Sequence, residues 1–201
     1  MPKVSQEYSE ARRRQIIDAA YQCFARKGFH QTTMRDIYAE AKLSAGAVYH
    51  YFDSKEEIIQ ASFDFDYHRS RDLFTAAEAS DDPMQALSNL LDFFFQGLKG
   101  AAALGAGRVN VQGWGEALVN PRLGAARREV IHRYIQALAL IISKAQESGQ
   151  IEAALDPLGL SQLLMSAYFG LELQLALDPE LDVDKYTAAV KTLLRSNSPQ
   201  A

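Results

Sequence analysis

The chain has 201 residues, 48% of them hydrophobic, enough to bury one large core or two smaller ones. A formal net charge of −4 excludes a protein that coats nucleic acid or anionic membrane by bulk charge, so any polyanion must be met locally. Its single cysteine, Cys23, excludes an intramolecular disulfide and a cysteine-rich metal site, which suits a reducing cytoplasm.

The opening MPKVSQEYSEARRR has basic residues but no apolar run behind them, so no secretory signal is predicted. RRRQIIDAAYQCFARKGF then places Ile17, Ala20, Tyr21 and Phe24 on one helical face, ends on Arg26 and Lys27, and offers Gly28 as a stop. A second helix begins with Thr33 and Asp36 in the capping-box relation and packs through Ile37 and Ala41. Ser44 caps a third, with Leu43 and Val48 as a hydrophobic staple, and Ser54 with Glu57 repeats the capping box for a fourth. Further on, Asp82-Pro83, Asn120-Pro121 and Asp156-Pro157 each pair a favoured cap with a proline suited to the first helical position. Asp178-Pro179 stops the last of these, and Asp182 or Asp184 caps a final helix carrying Tyr186, Val190, Leu193 and Leu194. Period-two alternation is confined to RVNVQ at 108–112, too short to found a sheet, so the predicted class is all-α. The most lipid-like stretch, 160–177, is broken by Ser161, Gln162, Ser166, Glu172 and Gln174 and reads as a buried helix, with no membrane partner.

The second and third helices, both short and joined by a tight turn, form a helix-turn-helix, whose second helix enters the major groove of DNA. Val48 and Phe52, four apart, supply its inward face, while Ala45, Gly46, Ala47, Tyr49 and His50 point elsewhere. Small residues in the first turn let the backbone approach DNA, and the open N–H groups there attract phosphate. Tyr51 and Phe52 read as core, Tyr49 and His50 as interface. Arg12, Arg13 and Arg14 read either as a solvated helix start or as a backbone or minor-groove contact.

The segment TTMRDIYAEAKLSAGAVYHYFDSKEEII, 32–59, resembles the DNA-binding domain of TetR-family transcriptional regulators, and the likeness extends from about Ala11 to Arg71. It implies a helix-turn-helix domain at 10–70, with the motif itself at about 33–52, and a larger helical effector-binding and dimerisation domain at 71–201. It also implies phosphate contacts from Thr33, Tyr49, His50 and Lys55, and base or groove contacts from the Ser44 to Tyr49 turn. Many relatives carry Lys, Arg or Pro where this chain has Ala45. Readout therefore shifts toward Arg35, Tyr49, and Ala47 against a thymine methyl.

One helix-turn-helix covers half an operator, so a two-fold homodimer on palindromic double-stranded DNA is expected. The helix at 157–177 has Glu172 as its only charge and is apolar nearly all round, which predicts burial on every side. The resemblance implies that this helix and the one at 183–194 form a four-helix bundle with their mates. The candidate interface residues are Leu163, Ser166, Gly170, Tyr186, Val190 and Leu193, with Ser166 and Gly170 spaced for close helix approach.

Phe93, Phe94 and Phe95 sweep too wide an arc for one packing face, at about 100° per residue. Trp114 lies between Gly113 and Gly115 in a glycine-rich segment that reads as structural or as a gate. Phe65, His68, Phe94, Trp114, Tyr134 and Tyr168 are the candidate lining for a small, mostly apolar effector, although ordinary core is the plainer role for any one of them.

No catalytic, metal or cofactor site is predicted. His30, His50, His68 and His132 lack metal-ligand spacing; GAGRVNVQG has Asn110 where a third glycine is needed, and GAAALGAG has Ala106 where a P-loop needs lysine. The expectation is a ligand-responsive regulator, repressing as is usual in that family. Its rivals are an enzyme using the C-terminal cavity, with His68 or His132 as base, and a constitutive DNA-binding protein without an effector.

Overall fold

A computed structural model of the chain describes the backbone of residues 6–103 and 106–196, and the side chains of 7–61, 70–101 and 107–195. Among these residues every regular element is an α-helix: α1 (Gln6–Lys27), α2 (Met34–Glu40), α3 (Ala45–Tyr49), α4 (Lys55–Glu78), α5 (Pro83–Ala103), α6 (Ala106–Val119), α7 (Pro121–Glu147), α8 (Pro157–Leu177) and α9 (Val183–Ser196).

The starts follow the cap chemistry. Asp82 Oδ1 accepts from the Gln85 N–H at 3.0 Å, Asn120 Oδ1 from Arg122 at 3.0 Å, Asp156 Oδ2 from Gly159 at 2.7 Å and Asp182 Oδ1 from Lys185 at 3.0 Å. At α2 the box is complete: the Asp36 N–H donates to Thr33 Oγ1 at 3.2 Å and the Thr33 N–H to Asp36 Oδ2 at 2.9 Å. At α4 it is displaced, since Glu57 accepts from the Asp53 N–H at 2.7 Å, one residue before the Ser54 cap. Gly28 ends α1 at φ 76°, a left-handed conformation that glycine adopts without steric cost.

The described residues divide into two compact units, one of residues 6–65 with 108–127, the other of 66–107 with 128–196. This differs from the contiguous expectation of 10–70 and 71–201, because α6 and the start of α7 join the N-terminal helices. Polar side chains make that connection: Tyr21 Oη donates to Asn110 Oδ1 at 3.0 Å, the Phe29 N–H to Gln112 Oε1 at 3.2 Å, and His30 Nε2 lies 2.9 Å from Glu116 Oε1. Apolar periodicity carries no trace of such bonds.

In the first unit Ile16, Ala20, Phe24, Ile37, Val48, Phe52 and Ile58 are buried. In the second, α5 packs on α8 and α9 around Leu87, Phe95, Ile141, Ile142 and Leu171. Helix α8 divides within this single chain: Leu164, Leu171 and Leu175 face the core, while Leu158, Leu163, Leu173 and Leu177 are exposed, the side that the expected burial assigns to a partner helix.

Candidate nucleic-acid interface

The turn between α2 and α3 is a Schellman closure, with the Leu43 N–H donating to Tyr38 O at 3.1 Å and the Lys42 N–H to Ala39 O at 3.2 Å. Lys42 takes the left-handed position, φ 54°, that glycine usually fills. The chain therefore reverses within three residues, and Ser44 caps α3 by accepting from the Ala47 N–H at 3.2 Å. Ion pairs Lys27–Asp36, at 2.6 Å, and Arg26–Glu40 tie α2 to the end of α1. The Lys27 ammonium, with the Thr33 N–H and hydroxyl behind it, holds the Asp36 carboxyl below the usual carboxylate range.

Helix α3 is thus anchored by one face. Val48 is 0% and Phe52 1% exposed, whereas Tyr49 is 47% exposed and Ser44, Gly46 and His50 are open to solvent. Ala45 and Ala47 are half-buried, and a methyl added at Gly46 would meet nothing within 4 Å. Thr33 and Arg35 are exposed at the start of α2, so eight of the nine candidate DNA residues lie on α2, α3 or their caps.

Lys55 is the exception. Its ammonium donates to three backbone carbonyls, Phe29 O at 2.9 Å, Thr32 O at 3.1 Å and His30 O at 3.4 Å, and sits 4.4 Å over the Phe29 ring. An ammonium has three donors, and all three are directed into the loop between α1 and α2. Lys55, a phosphate contact by the resemblance, serves within this chain as an internal brace, whose carbonyl partners lie more than twenty positions upstream. Lys55→Gln is expected to lower stability by about 2 kcal/mol, the scale of charged hydrogen bonds, and to leave the salt dependence of DNA binding unchanged. Thermal melting and a salt titration check this; an unmoved midpoint with a shallower salt slope restores the phosphate role.

Two residues that sequence patterns passed over belong to the same surface. Gln15 Nε2 donates to Ala41 O at 2.8 Å, tying α1 to the end of α2, and Tyr8 shares an open groove with Gly46, Ala47 and His50. Neither sits in an apolar repeat, so neither leaves a periodic signal.

In the second unit Phe94 lies 5.7 Å from both Phe74 and Tyr134 and 6.0 Å from Tyr168, ring centroid to centroid. The Tyr134 hydroxyl is 3.0 Å from Ser70 Oγ, and the Glu172 carboxylate is buried one turn along α8 from Tyr168. The candidate effector residues Phe94, Tyr134 and Tyr168 therefore cluster. Phe65 and His68 lie on α4, their side chains outside the described residues. Trp114 belongs to the other unit, where the Arg127 guanidinium lies 4.2 Å over its ring. Its flanking Gly113 and Gly115 stand in the regular helix α6, and a methyl at either would meet nothing within 4 Å, so of the two readings, structural or gate, these residues form plain helical turns.

Of the candidate interface residues, Leu163 and Leu193 are 64% and 66% exposed, Ser166 is exposed and Gly170 is half-buried with open space above it. Tyr186 instead turns inward, its hydroxyl donating to Ala167 O at 2.9 Å and its ring 5.7 Å from Phe95; burial pushes its phenol up. Val190 also packs against the core. The resemblance and the helical spacing assign both to the interface; within this chain each is half-buried, with its inward side toward the core that α5 shares.

Residues 16–62 match the model of bacterial regulatory proteins of the tetR family, and residues 83–198, more than half of the chain, match the C-terminal model of BetI-type transcriptional repressors. The chain belongs to the TetR family of transcriptional regulators. Among similar TetR-family proteins, the HTH-type regulator YfiR of Bacillus subtilis is 33% identical over 101 residues, 50% of this chain and 49% of that protein. The chain thus spans about half the length of this relative. Two solved structures share the fold. FadR of Bacillus subtilis, in complex with stearoyl-CoA, superposes with a TM-score of 0.78 at 23% identity over 92% of this chain and 98% of that one. A transcriptional regulator from Saccharomonospora viridis, in complex with choline, does so with 0.78 at 23% identity over 96% and 100%. The TetR-type model ends at residue 62 and the BetI-type model begins at 83, so both matches fall outside most of α4.

Proposed function

We propose that this TetR-family chain is a homodimeric repressor that holds a roughly palindromic operator and releases it when a small, mostly apolar molecule occupies the aromatic cluster of the second unit. The observation that carries the reading is the one-sided anchoring of α3: Val48 and Phe52 bury its inner face, and Gly46, Tyr49 and His50 are left facing solvent at a Ser44-capped helix start. A helix held this way presents base-reading and phosphate-binding groups to a major groove. The exposed leucines of α8 and α9 support a second copy of the chain, which would place two such helices one turn of DNA apart, about 34 Å. Phe74, Phe94, Tyr134 and Tyr168 support an apolar effector with few polar anchors, Ser70 and Tyr134 among them.

The test is a selection of genomic duplex fragments on the full-length protein, followed by release with a panel of small apolar compounds and with choline as a cationic counter-probe. A saturable release by an apolar compound, lost in Phe94→Ala, is expected, and bound duplex should weaken that compound by the same factor by which the compound weakens duplex. Failure to enrich any fragment sinks the operator reading. Enrichment with release by choline alone overturns the apolar effector.

A further inference from the structure

Three consecutive arginines lie about two turns into α1, and the structure gives each a different partner. Arg13 lies 4.5 Å over the Phe52 ring, with Nη1 3.5 Å from Tyr51 O, and so covers the core. Arg14 extends outward beside Asp18, at 3.9 Å. Arg12 turns to the open side of the recognition helix: Nη1 donates to Gln15 Oε1 at 2.6 Å, its guanidinium lies 4.8 Å over the Tyr8 ring, and Arg12 and Tyr8 line the groove bordered by Gly46, Ala47 and His50.

Gln15 is itself fixed, because its amide donates to Ala41 O at the end of α2. The helix-turn-helix therefore holds a cation in position through a two-step relay, Ala41 carbonyl to Gln15 to Arg12. A planar guanidinium that spends one donor on this relay keeps others for a phosphate, and the fork geometry suits phosphate oxygens. No acidic side chain among the described residues lines the groove. It is continuous with the exposed face of α3, so the ligand that α3 meets also passes Arg12.

We propose that Arg12 is a DNA-phosphate contact flanking the recognition helix, with Gln15 and Tyr8 as its positioning residues. This rests on the operator-binding reading and supplies the basic contact that Lys55, turned inward, does not. It also explains how a chain of net charge −4 presents a local cation to a polyanion.

The probe is a fluorescent duplex selected from a random library by the wild-type protein, titrated over a range of salt. Arg12→Gln is expected to flatten the slope of log affinity against log salt by about one per subunit at an unchanged melting temperature. Arg12→Lys should restore most of the slope, Gln15→Leu should lose part of it, and Arg14→Gln should keep it. A wild-type slope in a folded Arg12→Gln protein overturns the proposal. Should that variant fail to fold, phenylglyoxal modification of the wild-type chain decides: Arg12 must be protected by duplex while Arg14 is modified equally with and without it, and equal modification of both overturns the proposal. A wild-type protein that selects no duplex sinks the operator reading instead, so the two failures are distinct.

Discussion

Phe52→Ala is expected to unfold the helix-turn-helix, at a cost of about 3 to 5 kcal/mol, while Tyr49→Phe leaves the melting temperature in place and weakens operator binding. The two residues lie three apart on the same short segment, yet one is 1% and the other 47% exposed. Phe52 sits below Arg13, follows the closing turn of α3 and shares the first unit's core with Val48 and Ile58. Removing its ring leaves a cavity that the packed helices cannot close. Tyr49 loses only a hydroxyl facing solvent, and with it one donor to DNA. Circular dichroism melting paired with duplex titration reads both variants. Early melting of Tyr49→Phe with an intact Phe52→Ala would mean that the faces of α3 are reversed.

Legibility in the sequence follows the range of the interaction. Capping boxes, proline starts and the Val48–Phe52 stripe act within a few residues, so the helix boundaries and the faces of α3 could be read from letters alone. Lys55 could not, because the Phe29, His30 and Thr32 carbonyls that hold it belong to a loop with no side-chain signature. The inward bond of Tyr186 was hidden for a related reason: helical spacing tells which residues share a face, not which face meets α5. The glycines beside Trp114 left their segment open between a structural role and a gate, since glycine permits either, and neighbouring hydrogen bonds close regular helical turns there. The phenylalanine triplet was half legible. Its wide arc does divide, with Phe95 in the core, Phe94 in the aromatic cluster and Phe93 exposed, but only the structure says which is which.

Gly170→Glu is expected to give a folded monomer that no longer holds the operator at concentrations where the wild-type protein saturates it. Within one chain the substitution begins without a clash, because a Cβ at Gly170 meets nothing within 4 Å. Between two chains it is harmful, because Leu163 and Leu173 lie exposed on the same helix and Leu193 on α9, and a partner covering them would bury the new carboxylate without a counter-charge. The loss of DNA binding follows from the arithmetic of paired half-sites: linking two reading heads makes the second contact intramolecular and multiplies affinity by about 10² to 10⁴, a factor that vanishes with the dimer. Sedimentation velocity and duplex titration measure the two effects together. Leu118→Glu serves as the opposing variant, since Leu118 is 85% exposed on α6 and outside α8 and α9. A dimer that survives Gly170→Glu but dissociates with Leu118→Glu would move the interface to α6 and the start of α7, where Arg122 and Arg128 are also exposed.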